Sequence, residues 1–130
     1  MTALAERVAP RGVVERARAA AAIAAAHADA VDRDSRFPAE AVEALKAERL
    51  LGAMIPVQLG GEGASLMEVA EACAILGQAC ASAAMVFAMH QIKLSSVIRH
   101  GAVSKGNREL MRRTAREQLL YASAATGGGV

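Results

Sequence analysis

A proline- and glycine-rich stretch at residues 52–63 interrupts the chain and separates two regions of helical pattern. Ile55 stands before Pro56, and the residue before a proline is pushed toward extended backbone geometry. Three glycines follow within residues 60–63, so the backbone there is free to turn tightly or to lie directly against a neighbouring segment. We therefore predict a tight loop whose glycines serve packing in preference to direct ligand contact.

Helical periodicity on both sides of this loop predicts five helices. The second helix is expected to begin at Pro38, which suits a first turn, and to end before Gly52. Residues 65–68 read Ser-Leu-Met-Glu, a capping box that begins the third helix. The predicted helices cover about residues 13–31, 38–51, 65 to a break near 82, 82–101 and 104–118.

The apolar faces of these helices predict an all-α, up-and-down bundle with a short extended segment at the carboxyl end. We expect the third helix to turn one group of side chains inward: Leu66, Val69, Ala70, Cys73 and Leu76. The fourth helix is expected to present another at helical spacing: Val86, Met89, His90, Leu94 and Val97.

Composition bounds the kind of core and the kind of partner. The 130 residues suit one domain, and 54% of them are hydrophobic although only 2% are aromatic. The formal net charge is only +2, and few aromatic side chains are available to stack on bases, so we predict no nucleic-acid partner. One biased stretch, residues 105–116, is rich in arginine; a solvated helix face is favoured there over a phosphate site.

Several special sites are not predicted. Residues 72–92 are uncharged over a span long enough to cross a membrane, but their alanine and polar content favours two helices buried in protein. Cys73 and Cys80 would lie about 10 Å apart along one helix, too far for a disulfide. The three histidines form no cluster with metal-ligand spacing, so no metal is expected. No signal peptide is evident at the amino terminus, and we predict a cytoplasmic protein.

The order and spacing of the short motifs resemble the amino-terminal domain of acyl-CoA dehydrogenases and of flavin monooxygenases with the same fold. The resemblance covers roughly residues 15–126. It is carried by Phe37-Pro38-Ala39-Glu40, Gly52-Ala53-Met54-Ile55-Pro56, Leu59-Gly60-Gly61-Glu62-Gly63 and Ser65, and by Glu71, Gly77, Ser82, His90 and Gly101.

This resemblance implies an oxidoreductase that acts on CH–CH bonds of an acyl thioester with FAD, or FMN, as cofactor. It implies a flexible terminus over residues 1–12, the helical domain over 13–118, and the start of a missing β-barrel domain over 119–130. Thr126 takes the position of a flavin-contacting threonine, whereas Gly127 stands where glutamate is usual. The resemblance also implies a homo-oligomer. The substrate it implies is an acyl-CoA or another small molecule.

The helical bundle of this family lines one wall of the acyl pocket, and the resemblance places Met89 and His90 there. The catalytic base belongs to a domain absent from this sequence, so we expect no catalytic residue, no flavin bound by this chain alone and no activity of the chain alone. Two alternatives remain open. One is a fragment of a monooxygenase, in which His90 would face flavin and substrate; the other is a non-catalytic helical interaction module.

Overall fold

In the computed structural model, which describes residues 11–101 and 103–124, the described chain forms five α-helices and one short 3₁₀ helix, with no β-strand among the described residues. The all-α prediction is therefore confirmed. The α-helices are α1 (Val13–Arg33), α2 (Ala39–Ala47), α3 (Leu66–Ala79), α4 (Ala81–Gly101) and α5 (Lys105–Glu117), and the 3₁₀ helix is Val57–Leu59.

The main core lies where α1 packs against α2 and α3, and α3 packs against α4. Alanines such as Ala17 and Ala20 on α1 are almost fully buried, which allows these helices to approach closely. Phe87 is the largest fully buried side chain and fills the centre of this core. A second cluster around Leu94 and Met111 attaches α5 to α4.

The predicted end of α2 was wrong: the helix stops at Ala47, well before Gly52. Arg49 adopts a left-handed conformation with φ of 57°, and its N–H donates to the Lys46 carbonyl while the Leu50 N–H donates to the Leu45 carbonyl. This pair of bonds is a Schellman motif, which usually contains glycine at the left-handed position. Leu45 and Leu50, on either side of this turn, are both completely buried, and their burial stabilises the left-handed backbone of Arg49.

The capping box at the start of α3 is confirmed. The Ser65 hydroxyl accepts from the Glu68 N–H at 3.2 Å, and a Glu68 carboxylate oxygen accepts from the Ser65 N–H at 2.8 Å. Donation to this carboxylate by the Ser65 N–H, and by the Ser65 hydroxyl at 3.0 Å, lowers the pKa of Glu68 from its usual value. The break between α3 and α4 is also confirmed and lies at Cys80, whose φ of −158° and ψ of 112° are extended.

The predicted inner face of α3 needs correction at two positions. Val69, Ala72 and Leu76 are buried, but Ala70 is exposed and Leu66 is 69% exposed. Ala70 is rotated by about 100° from Val69 and so leaves the buried stripe. Leu66 is the first helical residue, and since side chains lean toward the helix amino terminus, it projects beyond the packed part of the helix.

Helix α4 is long and apolar enough to cross a membrane, judged by length and composition alone. Buried helices in protein cores can have the same length and composition, so this finding is weak evidence for a membrane span. In this fold one side of α4 is buried by the domain itself, through Ala83, Phe87 and Leu94.

Candidate functional site

The outer face of α4 carries an exposed apolar stripe. Met85, Met89 and Ile92 follow at helical spacings of four and three residues, and they are 63%, 48% and 62% exposed. We call these three residues the outer α4 face. Two of them are methionines, whose flexible thioether chains adapt to ligands of varied shape. The face offers contact with an apolar group and carries no proton-transferring side chain of its own.

His90 follows Met89 directly in sequence but points to the opposite side, into the domain, and is completely buried. Its Nε2 lies 2.7 Å from the Leu51 carbonyl oxygen, and its Nδ1 accepts from the Tyr121 N–H at 3.0 Å. A carbonyl requires a donor and an N–H requires an acceptor, so the ring is the neutral tautomer with its proton on Nε2. Neither nitrogen is left for a ligand.

Buried side chains of Gln118 and Thr114 and the half-buried Tyr121 extend this arrangement around Leu51. The Leu51 N–H donates to the Gln118 side-chain oxygen at 3.0 Å, so side chains of distant segments bond both of its backbone groups. The Tyr121 hydroxyl bonds the Thr114 hydroxyl, and the Tyr121 ring lies edge-on to His90 with centroids 5.2 Å apart. We call His90, Leu51, Gln118, Thr114 and Tyr121 the polar tie. It fastens the segment after α5 to α4 and to the loop.

Burial lowers the pKa of His90 from its ordinary value of 6.5, and the bond to the Leu51 carbonyl opposes this shift in part. A depressed histidine pKa means that the folded state binds fewer protons than the unfolded state. Stability from the polar tie is therefore complete above about pH 6.5 and is lost as the pH falls below that value toward the folded pKa. The slope for one proton is at most about 1.4 kcal/mol per pH unit.

We accordingly expect the urea concentration at the unfolding midpoint of the wild type to decrease when the pH is lowered from 7.5 to 5.5. The midpoint of His90→Gln should decrease less, because an amide does not titrate. Carboxylates with lowered pKa, such as Glu40 at about 2, lose their contribution only at lower pH. Equal losses in both proteins over this pH range would show that His90 is not the titrating group. Chemical denaturation at the two pH values makes the comparison.

The glycine-rich loop packs onto its own start, as predicted. Gly60 and Gly63 have φ of 92° and 63°, values that favour glycine. The Gly63 N–H donates to the Ile55 carbonyl at 2.9 Å, and a Cβ added to Gly61 would lie only 2.0 Å from that same oxygen. Glu62 between them pairs with Arg16 of α1. The loop is thus closed by backbone contacts and by one ion pair.

The predicted site residues therefore lie in different parts of the fold. Met89 lies on the outer α4 face, His90 lies in the polar tie, and the two do not share one surface. Thr126 lies outside the described residues, as does Gly127. Residues 119–124 have no strand, and no group of three possible metal ligands occurs within 11–101 and 103–124.

Sequence reasoning missed most of the polar tie. Gln118 is the last residue of the predicted final helix and Tyr121 follows it, and nothing in their local pattern indicates burial. Gln91 was missed too: its amide nitrogen donates to the Leu50 carbonyl at 3.0 Å. The available signal was two adjacent polar residues, His90 and Gln91, on the side of α4 that also carries Phe87 and Leu94. The Gln91 side-chain oxygen is buried without a partner among the described residues.

The fold and these surfaces define a helical domain with an exposed apolar helix face and a tight glycine loop. Residues 11–118 match the family model described as acyl-CoA dehydrogenase, N-terminal domain. The chain therefore belongs to the acyl-CoA dehydrogenase family, as its amino-terminal helical domain.

Two curated proteins show the extent of similarity. The chain is 30% identical over 79 residues to 3-sulfinopropanoyl-CoA desulfinase of Paraburkholderia xenovorans (strain LB400), covering 60% of this chain and 20% of that protein. It is 29% identical over 87 residues to acryloyl-CoA reductase (NADH) of Anaerotignum propionicum, covering 67% of this chain and 22% of that protein. The chain thus matches about a fifth of the length of each relative. No solved structure gives a significant match.

Proposed function

We propose that this chain supplies one wall of the acyl pocket in a flavin-dependent oxidoreductase that acts on CoA thioesters. The outer α4 face is the single observation that carries the proposal: Met85, Met89 and Ile92 form an apolar surface on a helix whose other side is fixed in the core. Membership of the family supports it, and so do the names of the two relatives, which both specify a CoA thioester.

In this proposal the residues of the chain position and shield, and they do not react. The outer α4 face excludes water from the acyl chain, and His90 acts from beneath as a positioning residue that fastens the segment after α5. The Tyr121 hydroxyl and N–H are both bonded within the domain, to Thr114 and to His90. FAD remains the proposed cofactor through the family, with Thr126 as its proposed contact. When bound, the flavin supplies the redox chemistry.

A photoreactive acyl-CoA, with a diazirine at the end of the acyl chain, tests where the chain meets the substrate. We expect the label on the α4 peptide that contains Met85, Met89 and Ile92, because a methionine face lowers the free energy of a bound apolar chain even when the pocket is incomplete. Peptide mass spectrometry locates the label.

The matched variants are Met89→Gln and Met67→Gln. Met67 is on α3 and is 77% exposed, so it controls for nonspecific labelling of exposed apolar side chains. Labelling of α4 should fall severalfold in Met89→Gln and remain unchanged in Met67→Gln. Label distributed evenly over the exposed apolar residues, or an equal loss in both variants, would contradict the proposal.

A further inference from the structure

A pocket of about 420 Å³ lies between the end of α2, the 3₁₀ helix and α5, and three arginines line it. Arg49 comes from the end of α2, and Arg112 and Arg116 come from α5; Gln58 and Gly60 complete the side formed by the 3₁₀ helix. No carboxylate lines this pocket among the described residues. The sequence pattern favoured a solvated arginine face on the last helix over a phosphate site, since nothing local connects Arg49 with that helix.

Arg49 is held in place by the fold. Its left-handed backbone ends α2, and its Nη2 donates to the Ala115 carbonyl on α5. No described carboxylate lies within ion-pair distance of its guanidinium. A guanidinium that is already fixed loses little conformational entropy when it binds an anion, and its remaining N–H groups keep their donor capacity.

Arg112 and Arg116 are four residues apart and therefore share one face of α5. Their contacts with acidic groups are loose: Arg112 lies 3.8 Å from Glu109, and Arg116 lies 3.5 Å from Glu117. The other oxygen of Glu117 is bonded by Arg113 at 3.1 Å. Three like charges around one pocket repel one another, and an anion between them would relieve that repulsion.

We propose that this pocket binds the phosphoryl group of a small phosphate-bearing ligand. Guanidinium groups match phosphate oxygens with two parallel hydrogen bonds, and several of them suit a dianion or a more highly charged group better than one carboxylate. The carbonyl end of α5 contributes only about half a negative charge, which three arginines outweigh. The inference uses different residues from the acyl pocket and is independent of the proposed function.

Inorganic diphosphate is the probe, added to the full chain at low ionic strength, with sulfate at matched ionic strength as the reference anion. We expect diphosphate to bind more tightly than sulfate in calorimetry and to shift the NMR signals of the Arg49 Nε–H and the Gly60 amide. The NMR shifts are read on the wild type, so this arm does not depend on any variant.

The test variant is Arg112→Gln with Arg116→Gln, and the control is Arg18→Gln with Arg33→Gln, two exposed arginines of α1. Each removes two positive charges, which changes the formal net charge from +2 to 0. The arginines of the test variant are 49% and 66% exposed, so the fold should survive the change. We expect the test variant to weaken diphosphate binding about tenfold and the control to weaken it at most twofold.

Three results would overturn the inference. Equal weakening in the two double variants would show attraction to net charge alone. Sulfate or citrate binding as tightly as diphosphate would show that the pocket does not select phosphoryl groups. Unchanged Arg49 and Gly60 signals would place any binding elsewhere. None of these results bears on acyl-CoA labelling of α4, so failure here is distinguishable from failure of the proposed function.

Discussion

Gly61→Ala is expected to destabilise the domain by about 3 kcal/mol or more, which corresponds to a fall in melting temperature of roughly 10 °C. The added Cβ would lie 2.0 Å from the Ile55 carbonyl oxygen and 2.6 Å from its carbonyl carbon. These are backbone atoms and cannot rotate away like the end of a flexible side chain. The loop must therefore open, and the bond from the Gly63 N–H to that same carbonyl is lost with it.

The same substitution at Gly77, Gly77→Ala, is expected to stabilise the domain and not to destabilise it. Gly77 is exposed in the last turn of α3, and a Cβ there would meet only the Cβ of Ala84, at an ordinary 3.7 Å. Alanine is more favourable than glycine at a helical position, by up to about 1 kcal/mol in a helix interior and less in a last turn, so this variant should be slightly more stable than the wild type. Thermal denaturation of both variants decides the matter: a Gly61→Ala protein as stable as the wild type would refute the close backbone packing.

Local chemistry explains which parts of the fold the sequence predicted correctly. The capping box needs only Ser65 and Glu68, three residues apart, and the glycine loop is marked by its own composition. The end of α2 was not predictable in this way. It depends on Leu50, whose burial in the core stabilises a left-handed Arg49, and helix rules would assign that position to glycine.

The candidate site was predicted less well because its contacts join distant segments. Helix α4 is apolar around much of its circumference, so periodicity could not decide that Met89 faces outward while its neighbour His90 faces inward. The partners of His90 are 39 and 31 residues away in sequence. Likewise, Arg49 joins Arg112 and Arg116 only because the end of α2 packs against α5. Such pairings follow from tertiary structure, on which single-sequence patterns carry no information.

His90→Leu is expected to destabilise the domain by roughly 3 kcal/mol. Leucine preserves apolar volume but leaves the Leu51 carbonyl and the Tyr121 N–H without their partner, and each buried group left unpaired costs about 1–3 kcal/mol. The segment after α5 should also become sensitive to proteolysis near Tyr121, because its backbone bond to α4 is lost. Equilibrium denaturation and limited proteolysis measure the two effects.

His90→Gln is the matched variant, since its side-chain amide has a donor nitrogen and an acceptor oxygen and can serve both partners. It should cost about 1 kcal/mol and keep the segment after α5 protected. A leucine variant no less stable than the glutamine variant would show that the polar tie contributes only packing. A different result would be that both variants fold stably but a flavin-containing assembly of this chain loses turnover in both. His90 would then act on the chemistry itself, which would support the monooxygenase alternative. The burial of His90 and the hydrogen bonds at both of its ring nitrogens argue against that alternative.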